Sequence, residues 1–277
     1  MDNGVPEICI LITNFNTSDF VALSLHALDK LTQGKFNVLI NDNGSDDRNL
    51  VKLKELEKKY NFVKVFYKKS DRSGSWAHAE ALDFLISESD AEYTVILDSD
   101  CMPLLKGWDD YLIRMLSGNV KIAGSPLSEG RSGSKPADFP FQFLVVFDTR
   151  TYRSLNISTG PLDVNKGKDT CWEWKPKFTS AGYAGSILRT KCTRDFKGGP
   201  FKNVICAEYY TDDGKLIGSH FGRGSSGGIS KHKNRWFLGT SFVSKLMIQC
   251  IARKERKEWM RICRKIIDQQ SYLKGRK

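Results

Sequence analysis

The first hundred residues alternate between short apolar runs and longer stretches with helical spacing. The apolar runs are Glu7–Thr13, Asn37–Ile40, Phe62–Tyr67 and Glu92–Leu97, and the helical stretches between them are Ser18–Leu31, Asp46–Lys59 and Ser75–Ser87. Near-continuous apolar strands joined by helices are typical of βαβ units with a parallel sheet. The sequence therefore predicts an α/β fold with a mainly parallel, Rossmann-like sheet flanked by helices.

The following hundred residues carry weaker signals of the same kind. They predict strands at Phe143–Phe147, Ser186–Leu188, Val204–Ala207 and Leu216–Ser219, and a helix near Asp169–Ala181. The stretch Ser125–Pro140 is rich in Ser, Gly and Pro, which favours a long loop suited to a mobile flap.

The charge is concentrated at the C-terminal end. The chain has 43 Lys and Arg against 32 Asp and Glu, and residues 231–277 hold 14 of these basic residues but only three acidic ones. This segment accounts for the whole net charge of +11, so the rest of the chain is neutral. A nucleic-acid-binding role for the whole protein is therefore disfavoured.

The same segment has a helical period. Its apolar residues form two stripes with basic residues between them, Val243, Leu246, Met247, Cys250 and Ile251 in the first, and Trp259, Ile262, Cys263, Ile266 and Ile267 in the second. This pattern predicts a basic amphipathic helical tail. Residues 241–277 could contact an anionic membrane or nucleic acid, or the helix could pack on its own domain.

Composition also bears on the compartment. No run reaches the length of a membrane span. The N-terminus is acidic and is followed by a short apolar stretch, which disfavours a secretory signal. Seven cysteines without a C-x-x-C pair disfavour a disulfide framework and a thiolate zinc site. We expect a reduced, cytoplasmic protein, with peripheral contact to the cytoplasmic membrane face left open by the tail.

Polar residues follow each of the first four predicted strands. In order they are Thr13–Asn16, Asn41–Asp47, Lys68–Ser75 and Asp98–Asp100. Open α/β sheets bind ligands outside the carboxyl ends of their strands, so these residues are expected to converge on one crevice. Asp98 and Asp100 could together hold Mg²⁺ or Mn²⁺ bridged to a diphosphate. Alternatively, Asp98 caps the next turn and Asp100 is solvated.

The motifs ILITNFN, LINDNGSDD, RSGSWAHAEALDFL and YTVILDSDCMP, in this order, resemble the nucleotide-sugar half of family 2 glycosyltransferases with the GT-A fold. The resemblance covers residues 5–125 and continues more thinly to about 224. It implies a metal-dependent, inverting transfer of a sugar from a nucleotide diphosphate-sugar, most naturally UDP-linked, to a hydroxyl acceptor. It divides the chain into a donor half (1–125), an acceptor half (126–230) and a basic C-terminal extension (231–277).

The resemblance also implies site residues. Phe15 replaces the usual tyrosine at the base, Asp42 accepts a hydrogen bond from the base, and Arg72 approaches the base or the diphosphate. Asp100 binds the metal, and Asp98 faces the ribose or sugar side and contributes to the metal site. The full set implied for the nucleotide-sugar is Thr13, Phe15, Asn16, Asp42, Arg72, Gly74, Asp98, Ser99 and Arg223.

On the acceptor side, Asp169 resembles the family aspartate that deprotonates the acceptor hydroxyl, with Asp163 as the second candidate and a helix N-cap as the alternative role for Asp169. His220 lies in a glycine-rich turn and is expected to reach the metal or the diphosphate, where Arg223 would offset phosphate charge. A structural role is the alternative for His220.

Other functions remain as alternatives. Gly222, Gly224 and Gly227 match G-x-G-x-x-G, but a dinucleotide-binding motif should open the first βαβ unit, so a phosphate-binding or gating loop is favoured. A nucleotidyltransferase should have a basic glycine-rich loop after the first strand, which TNFNTSDF lacks. The remaining alternatives are a glycosyltransferase whose acceptor is nucleic acid held by the tail, and a non-catalytic glycosyltransferase-like binding protein.

Overall fold

The computed structural model describes residues 7–127, 137–166, 168–232 and 242–272. The strands are β1 (Ile8–Asn14), β2 (Phe36–Asp42), β3 (Val63–Phe66), β4 (Tyr93–Leu97), β5 (Cys101–Pro103), β6 (Val120–Gly124), β7 (Leu144–Asp148), β8 (Ala184–Ile187), β9 (Arg189–Cys192), β10 (Ala207–Tyr210) and β11 (Leu216–His220). The α-helices are α1 (Ser18–Leu31), α2 (Asp47–Lys59), α3 (Ser75–Ser87), α4 (Trp108–Arg114), α5 (Thr149–Ser154), α6 (Trp174–Ser180) and α7 (Phe242–Tyr272).

The main sheet has seven strands in the order β3-β2-β1-β4-β7-β6-β8. The first four strands of the chain are parallel to one another, and β7 is antiparallel to both of its neighbours. The carboxyl ends of β1 to β4 therefore lie at one edge, as the alternating pattern predicts. The predicted α/β fold with a largely parallel sheet is confirmed.

A second, antiparallel sheet has the order β5-β11-β10-β9. The chain passes from the main sheet to this sheet within three residues, because β4 ends at Leu97 and β5 begins at Cys101. β5 pairs with β11 in a register that sets His220 opposite Cys101. His220, which is 120 positions after Asp100 in the sequence, is thereby held beside the end of β4.

The predicted helices of the first half form because each buries one apolar stripe. The helices α1 and α3 have the predicted bounds. The Asp46 side chain accepts a hydrogen bond from the Asn49 backbone N–H, so it caps α2 one residue before the helix begins. Strands β1 to β4 match the predicted runs to within one or two residues.

The predicted helix near Asp169–Ala181 is present but shorter, since α6 spans Trp174–Ser180 and Cys171, just before it, has a φ of 62°. One prediction for the second half is wrong. The predicted strand Val204–Ala207 does not form, and β10 begins only at its last residue, Ala207. The Thr193 side chain bonds the backbone there instead, donating to the Val204 carbonyl and accepting from the Cys206 N–H.

Elements β5, β6, β9, α4 and α5 carried no clear signal in the sequence. They are three to seven residues long, which is too short for a periodic pattern to appear. The predicted flap Ser125–Pro140 lies largely outside the described residues, since residues 128–136 are not among them.

The second apolar stripe of the tail is part of the hydrophobic core. Trp259, Cys263 and Ile267 are fully buried, and the Trp259 ring packs against Phe20 and Phe221. The Trp259 indole N–H donates a hydrogen bond of 2.9 Å to the Ser219 hydroxyl on β11. The predicted helix is therefore present, and its second half packs on its own domain rather than forming a detached extension.

Other parts of α7 are in contact with solvent. Leu246 and Met247, from the first apolar stripe, have relative exposures of 46% and 48%. Within the described residues, no helix combines the length and hydropathy needed to cross a bilayer. All seven cysteines are free thiols, and five of them are buried.

Because Trp259 fills the junction of α7, α1 and β11, we expect Trp259→Ala to lower the free energy of unfolding by about 3–5 kcal/mol. The matched control is Met247→Ala on the exposed part of the same helix, which should change it by less than about 0.5 kcal/mol. Urea denaturation followed by circular dichroism measures both. Equal, small effects would show that α7 does not contribute to the core.

Candidate functional site

A crevice of about 1400 Å³ opens at the carboxyl ends of β1 and β4. One wall is formed by the main sheet and the N-terminal end of α3, and the other by the second sheet and the loop that follows β11. This is the position where open α/β sheets bind ligands. The expected convergence of the four strand ends on one crevice is therefore borne out, since Asn43 after β2 and Lys69 and Ser70 after β3 line it too.

Asp98 and Asp100 lie at the junction of the two sheets. The Asp98 backbone N–H still donates to the Phe143 carbonyl of the main sheet, whereas the Asp100 carbonyl accepts from the Phe221 N–H beyond the second sheet. The backbone is thus fixed on both sides of Ser99. Both carboxylates line the crevice because the chain turns between the two sheets at this point.

His220 completes a three-residue cluster. Its Nε2 lies 3.2 Å from Asp100 Oδ1 and 3.7 Å from Asp98 Oδ2. One potential ligand atom from each of Asp98, Asp100 and His220 lies within 4.8 Å of the others. The His220 ring also packs on the Phe143 ring at 4.3 Å between centroids. Two carboxylates and one imidazole form a donor set that suits Mn²⁺, and Mg²⁺ with more water.

The electrostatics of the cluster reflect burial of two acids side by side. Burial raises the pKa of Asp98 to about 7, with Asp100 adding to the shift and His220 opposing it. Burial acts in the same direction on Asp100, but His220 and the Gly224 N–H outweigh it and hold the pKa of Asp100 below its usual value. The two acids together raise the pKa of His220 against the effect of burial. A divalent cation would relieve this repulsion between neighbouring acids.

The glycine-rich loop after β11 closes on Asp100. The Gly224 N–H donates a hydrogen bond of 2.7 Å to Asp100 Oδ2. A Cβ at position 224 would lie 2.8 Å from the Asp100 side chain, so only glycine allows this approach. Arg223 precedes it in the left-handed conformation and lines the crevice. This loop contacts the cluster of Asp98, Asp100 and His220, and it follows β11 of the antiparallel sheet rather than opening a βαβ unit.

Lys231 was not identified from the sequence, where it counts only as the first basic residue of the tail. It lines the crevice, and its Nζ donates to the Ile205 carbonyl at 2.6 Å. Burial lowers the pKa of Lys231 to about 8. Its position just after the glycine-rich loop is the sequence signal that could have indicated it.

His78 is a second residue of the crevice that was not identified from the sequence. It lies in the first turns of α3, where its Nδ1 is 3.0 Å from the Thr13 hydroxyl and its Nε2 is 3.8 Å from Asp98 Oδ1. It therefore links the ends of β1 and β4. Thr13 lines the crevice beside it, as expected.

Asp42 is buried and does not line the crevice. Its carboxylate accepts hydrogen bonds from the Asn14 amide, the Ser45 hydroxyl and the backbone N–H groups of Gly44 and Ser45. It fixes the two loops that follow β1 and β2. Contact of Asp42 with a base stays a prediction, and the role seen here is positioning.

Asn16 has a similar role at the edge of the site. It adopts a φ of 55°, and its side-chain carbonyl accepts a hydrogen bond from the Asp46 N–H at the start of α2. It does not appear among the residues that line the crevice, whereas its neighbour Phe15 does and is 49% exposed. An exposed ring at this position is free to stack on a flat ligand.

The other residues expected on the donor side also line the crevice. Arg72 lies over the Trp76 ring at 4.5 Å, with its Nε 3.2 Å from Glu80 Oε1. Gly74 precedes α3 with a φ of 61°, a conformation that favours glycine. The Ser99 hydroxyl accepts a hydrogen bond from Thr17.

Of the two acceptor-side candidates, the structure brings only Asp169 to the crevice. Its Oδ1 accepts from the Thr170 N–H, and α6 is preceded by Glu173, so Asp169 is not the N-cap of that helix. Asp163 lies in a surface turn, where its carboxylate contacts Lys166. The residues that line the crevice do not include Asp163.

The chain resembles known proteins in part of its sequence and in its fold. Residues 9–135 match the model of the family described as glycosyl transferase family 2. No curated protein matches the chain by sequence.

Among solved structures, the mannosyltransferase PcManGT from Pyrobaculum calidifontis, in complex with GDP-Man and Mn²⁺, superposes with a TM-score of 0.52 at 16% identity, over 67% of this chain and 55% of that one. Glucosyl-3-phosphoglycerate synthase from Mycobacterium tuberculosis, in complex with phosphoglyceric acid, gives 0.48 at 15% identity, over 66% and 70%. TarS 1–349 from S. aureus, in complex with UDP, gives 0.44 at 14% identity, over 55% and 50%.

The chain thus spans about half the length of the Pyrobaculum protein. At this identity the superposition shows a shared fold. Residues 9–135, a little under half of the chain, match the glycosyl transferase family 2 model, and the α/β fold is similar to that of the Pyrobaculum mannosyltransferase.

Proposed function

We propose that the chain transfers a sugar, with inversion, from a nucleotide diphosphate-sugar to a hydroxyl acceptor and depends on a divalent cation. The observation that carries the proposal is the cluster of Asp98, Asp100 and His220 in the wall of a large crevice at the strand ends. A structural role alone does not account for two largely buried acids that lie side by side with a histidine.

The cation is held by Asp98, Asp100 and His220. Bound there, Mn²⁺ or Mg²⁺ supplies Lewis-acid stabilisation of the negative charge on a diphosphate. Arg223 and Lys231 lie on the second wall of the same crevice. Their positive charge stabilises the negative charge that develops on the departing nucleoside diphosphate.

The donor lies along the ends of β1 and β4. Phe15 stacks on the base, and Thr13, Arg72, Gly74 and Ser99 line the path to the metal ligands. We propose a UDP-sugar on the family resemblance. Because the Pyrobaculum protein is bound to GDP-Man, GDP-sugars are the first competitors to test.

The acceptor approaches from the side of Asp169. The Asp169 carboxylate takes the proton of the acceptor hydroxyl as that oxygen bonds to the anomeric carbon. The bond from this carbon to the phosphate oxygen breaks, and its electron pair leaves with the nucleoside diphosphate. A carboxylate base positioned on the face opposite the leaving group gives inversion.

Donor binding tests the metal site. With saturating Mn²⁺, a nucleoside diphosphate at a hundred times its dissociation constant should stabilise the chain by about 2.7 kcal/mol, seen as a rise in melting temperature. Asp100→Asn removes the charge that pairs with the cation and should abolish the Mn²⁺-dependent part of the shift.

Asp163→Asn is the matched control, because it makes the same change outside the crevice and should keep the full shift. UDP, GDP and their sugars are compared in parallel, with chelator as the blank. A nucleotide shift that persists in Asp100→Asn would contradict the assignment of the metal ligands.

Replacing the proposed base tests the chemical step. Asp169→Asn should lower the rate of sugar transfer by about 10²- to 10⁴-fold, because the acceptor hydroxyl loses its proton acceptor. The melting shift with Mn²⁺ and the nucleoside diphosphate should stay unchanged. Release of the nucleoside diphosphate, measured with a panel of hydroxyl acceptors, gives the rate.

Two results would overturn this step. Full transfer activity in Asp169→Asn would remove it as the base. If the wild-type chain bound the donor but catalysed neither transfer nor slow donor hydrolysis under any condition, the alternative of a non-catalytic binding protein would be favoured.

A further inference from the structure

The helix α7 has two unlike faces along its 31 residues. On one face, Ala252, Trp259, Cys263 and Ile267 are buried against the rest of the domain. The opposite face is exposed. From Leu246 to Lys265 this exposed face extends about 29 Å along the helix axis, so it forms a long strip on the surface.

The exposed face begins with apolar residues and continues with basic ones. Leu246 and Met247 are about half exposed, and Cys250 is exposed one turn later. Over the next four turns every exposed residue is basic, and one acid beside this face is half-buried. The exposed basic residues are Arg253, Lys254, Lys257, Arg261, Arg264 and Lys265. We call this strip, from Leu246 to Lys265, the docking face.

The acidic residues of α7 do little to neutralise the docking face. Glu255 turns inward, where it accepts a 2.6 Å hydrogen bond from the Ile205 N–H and pairs with the buried His232 at 3.0 Å. Asp268 contacts His26 of α1 at 2.8 Å. Glu258 pairs with one member of the face, Arg261, at 2.7 Å. The other basic residues of the strip keep their charge facing solvent.

We propose that the docking face binds the surface of a bilayer that contains anionic phospholipids. Each basic side chain near such a surface contributes about 1 kcal/mol through attraction to the headgroups. The exposed Leu246 and Met247 at one end gain further free energy by leaving water for the boundary between headgroups and acyl chains. A helix that presents both features on its free face is suited to lie in the plane of the interface.

The apolar end distinguishes a bilayer from nucleic acid as the partner. A nucleic-acid backbone would satisfy the basic residues but would leave Leu246 and Met247 without a favourable contact. Packing on the same domain, which holds for the second apolar stripe, does not cover these two side chains in the described part of the chain.

Docking in this way would hold the crevice close to the membrane. Leu246 precedes Glu255 by nine residues, which is about 13 Å along the helix axis. Glu255 in turn holds His232 and Ile205, next to Lys231 in the wall of the crevice. The membrane-facing end of α7 is therefore joined to the wall of the crevice through fewer than three turns of helix.

The test is sedimentation of the full chain with vesicles of phosphatidylcholine, with and without about 30% phosphatidylglycerol. We expect binding only to the anionic vesicles and a steep loss of binding between about 0.1 M and 0.5 M salt. The double variant Lys254→Glu, Lys257→Glu should weaken binding by at least about 30-fold, since two contributions of about 1 kcal/mol are lost. Leu246→Ser, Met247→Ser should also weaken it.

Lys54→Glu, Lys58→Glu on the exposed side of α2 is the matched control, with the same change in charge away from the docking face. It should bind vesicles as the wild-type chain does, and melting curves verify that every variant is folded. Failure of the wild-type chain to bind anionic vesicles would overturn the proposal. An equal loss in the control would overturn it too, as would binding to duplex DNA or single-stranded RNA without binding to vesicles.

Discussion

The site depends on the contacts that the Asp100 carboxylate makes. It lies where the chain leaves the main sheet and enters the second one, and it accepts a hydrogen bond from Gly224 while His220 lies 3.2 Å away. The antiparallel pairing of β5 with β11 brings these later residues to it. Without that pairing, Asp98 and Asp100 would be two acids at a strand end, a common arrangement with no particular chemistry.

The helix α7 supports the same junction from behind. Trp259 donates to Ser219, the neighbour of His220, and Glu255 fixes His232, the neighbour of Lys231. Two residues of the crevice wall are thus held in place by one helix that the sequence presents as a basic appendage. Removing the chain from about residue 235 onward would uncover the core at Trp259, so a truncation of this kind cannot separate the role of the tail from folding.

Much of the donor half could be predicted from the sequence because its elements are long and periodic. Strands β1 to β4 and helices α1 and α3 follow directly from their apolar patterns, and the strand ends identify Thr13, Asp98 and Asp100. The orientation of Asp42 could not be predicted, since it depends on hydrogen bonds between two loops. The contact of Lys231 with the Ile205 carbonyl could not be predicted either, because it depends on how the loop after β11 packs against Ile205.

The central claim is that Asp98, Asp100 and His220 bind a divalent cation together with a nucleoside diphosphate. Pulsed electron paramagnetic resonance of Mn²⁺ added to the chain tests it most directly. We predict a ¹⁴N coupling from the imidazole that disappears in His220→Ala, and a ³¹P coupling that appears when the matching nucleoside diphosphate is added. A spectrum of the free hydrated ion, unchanged by the protein and the nucleotide, would contradict the claim.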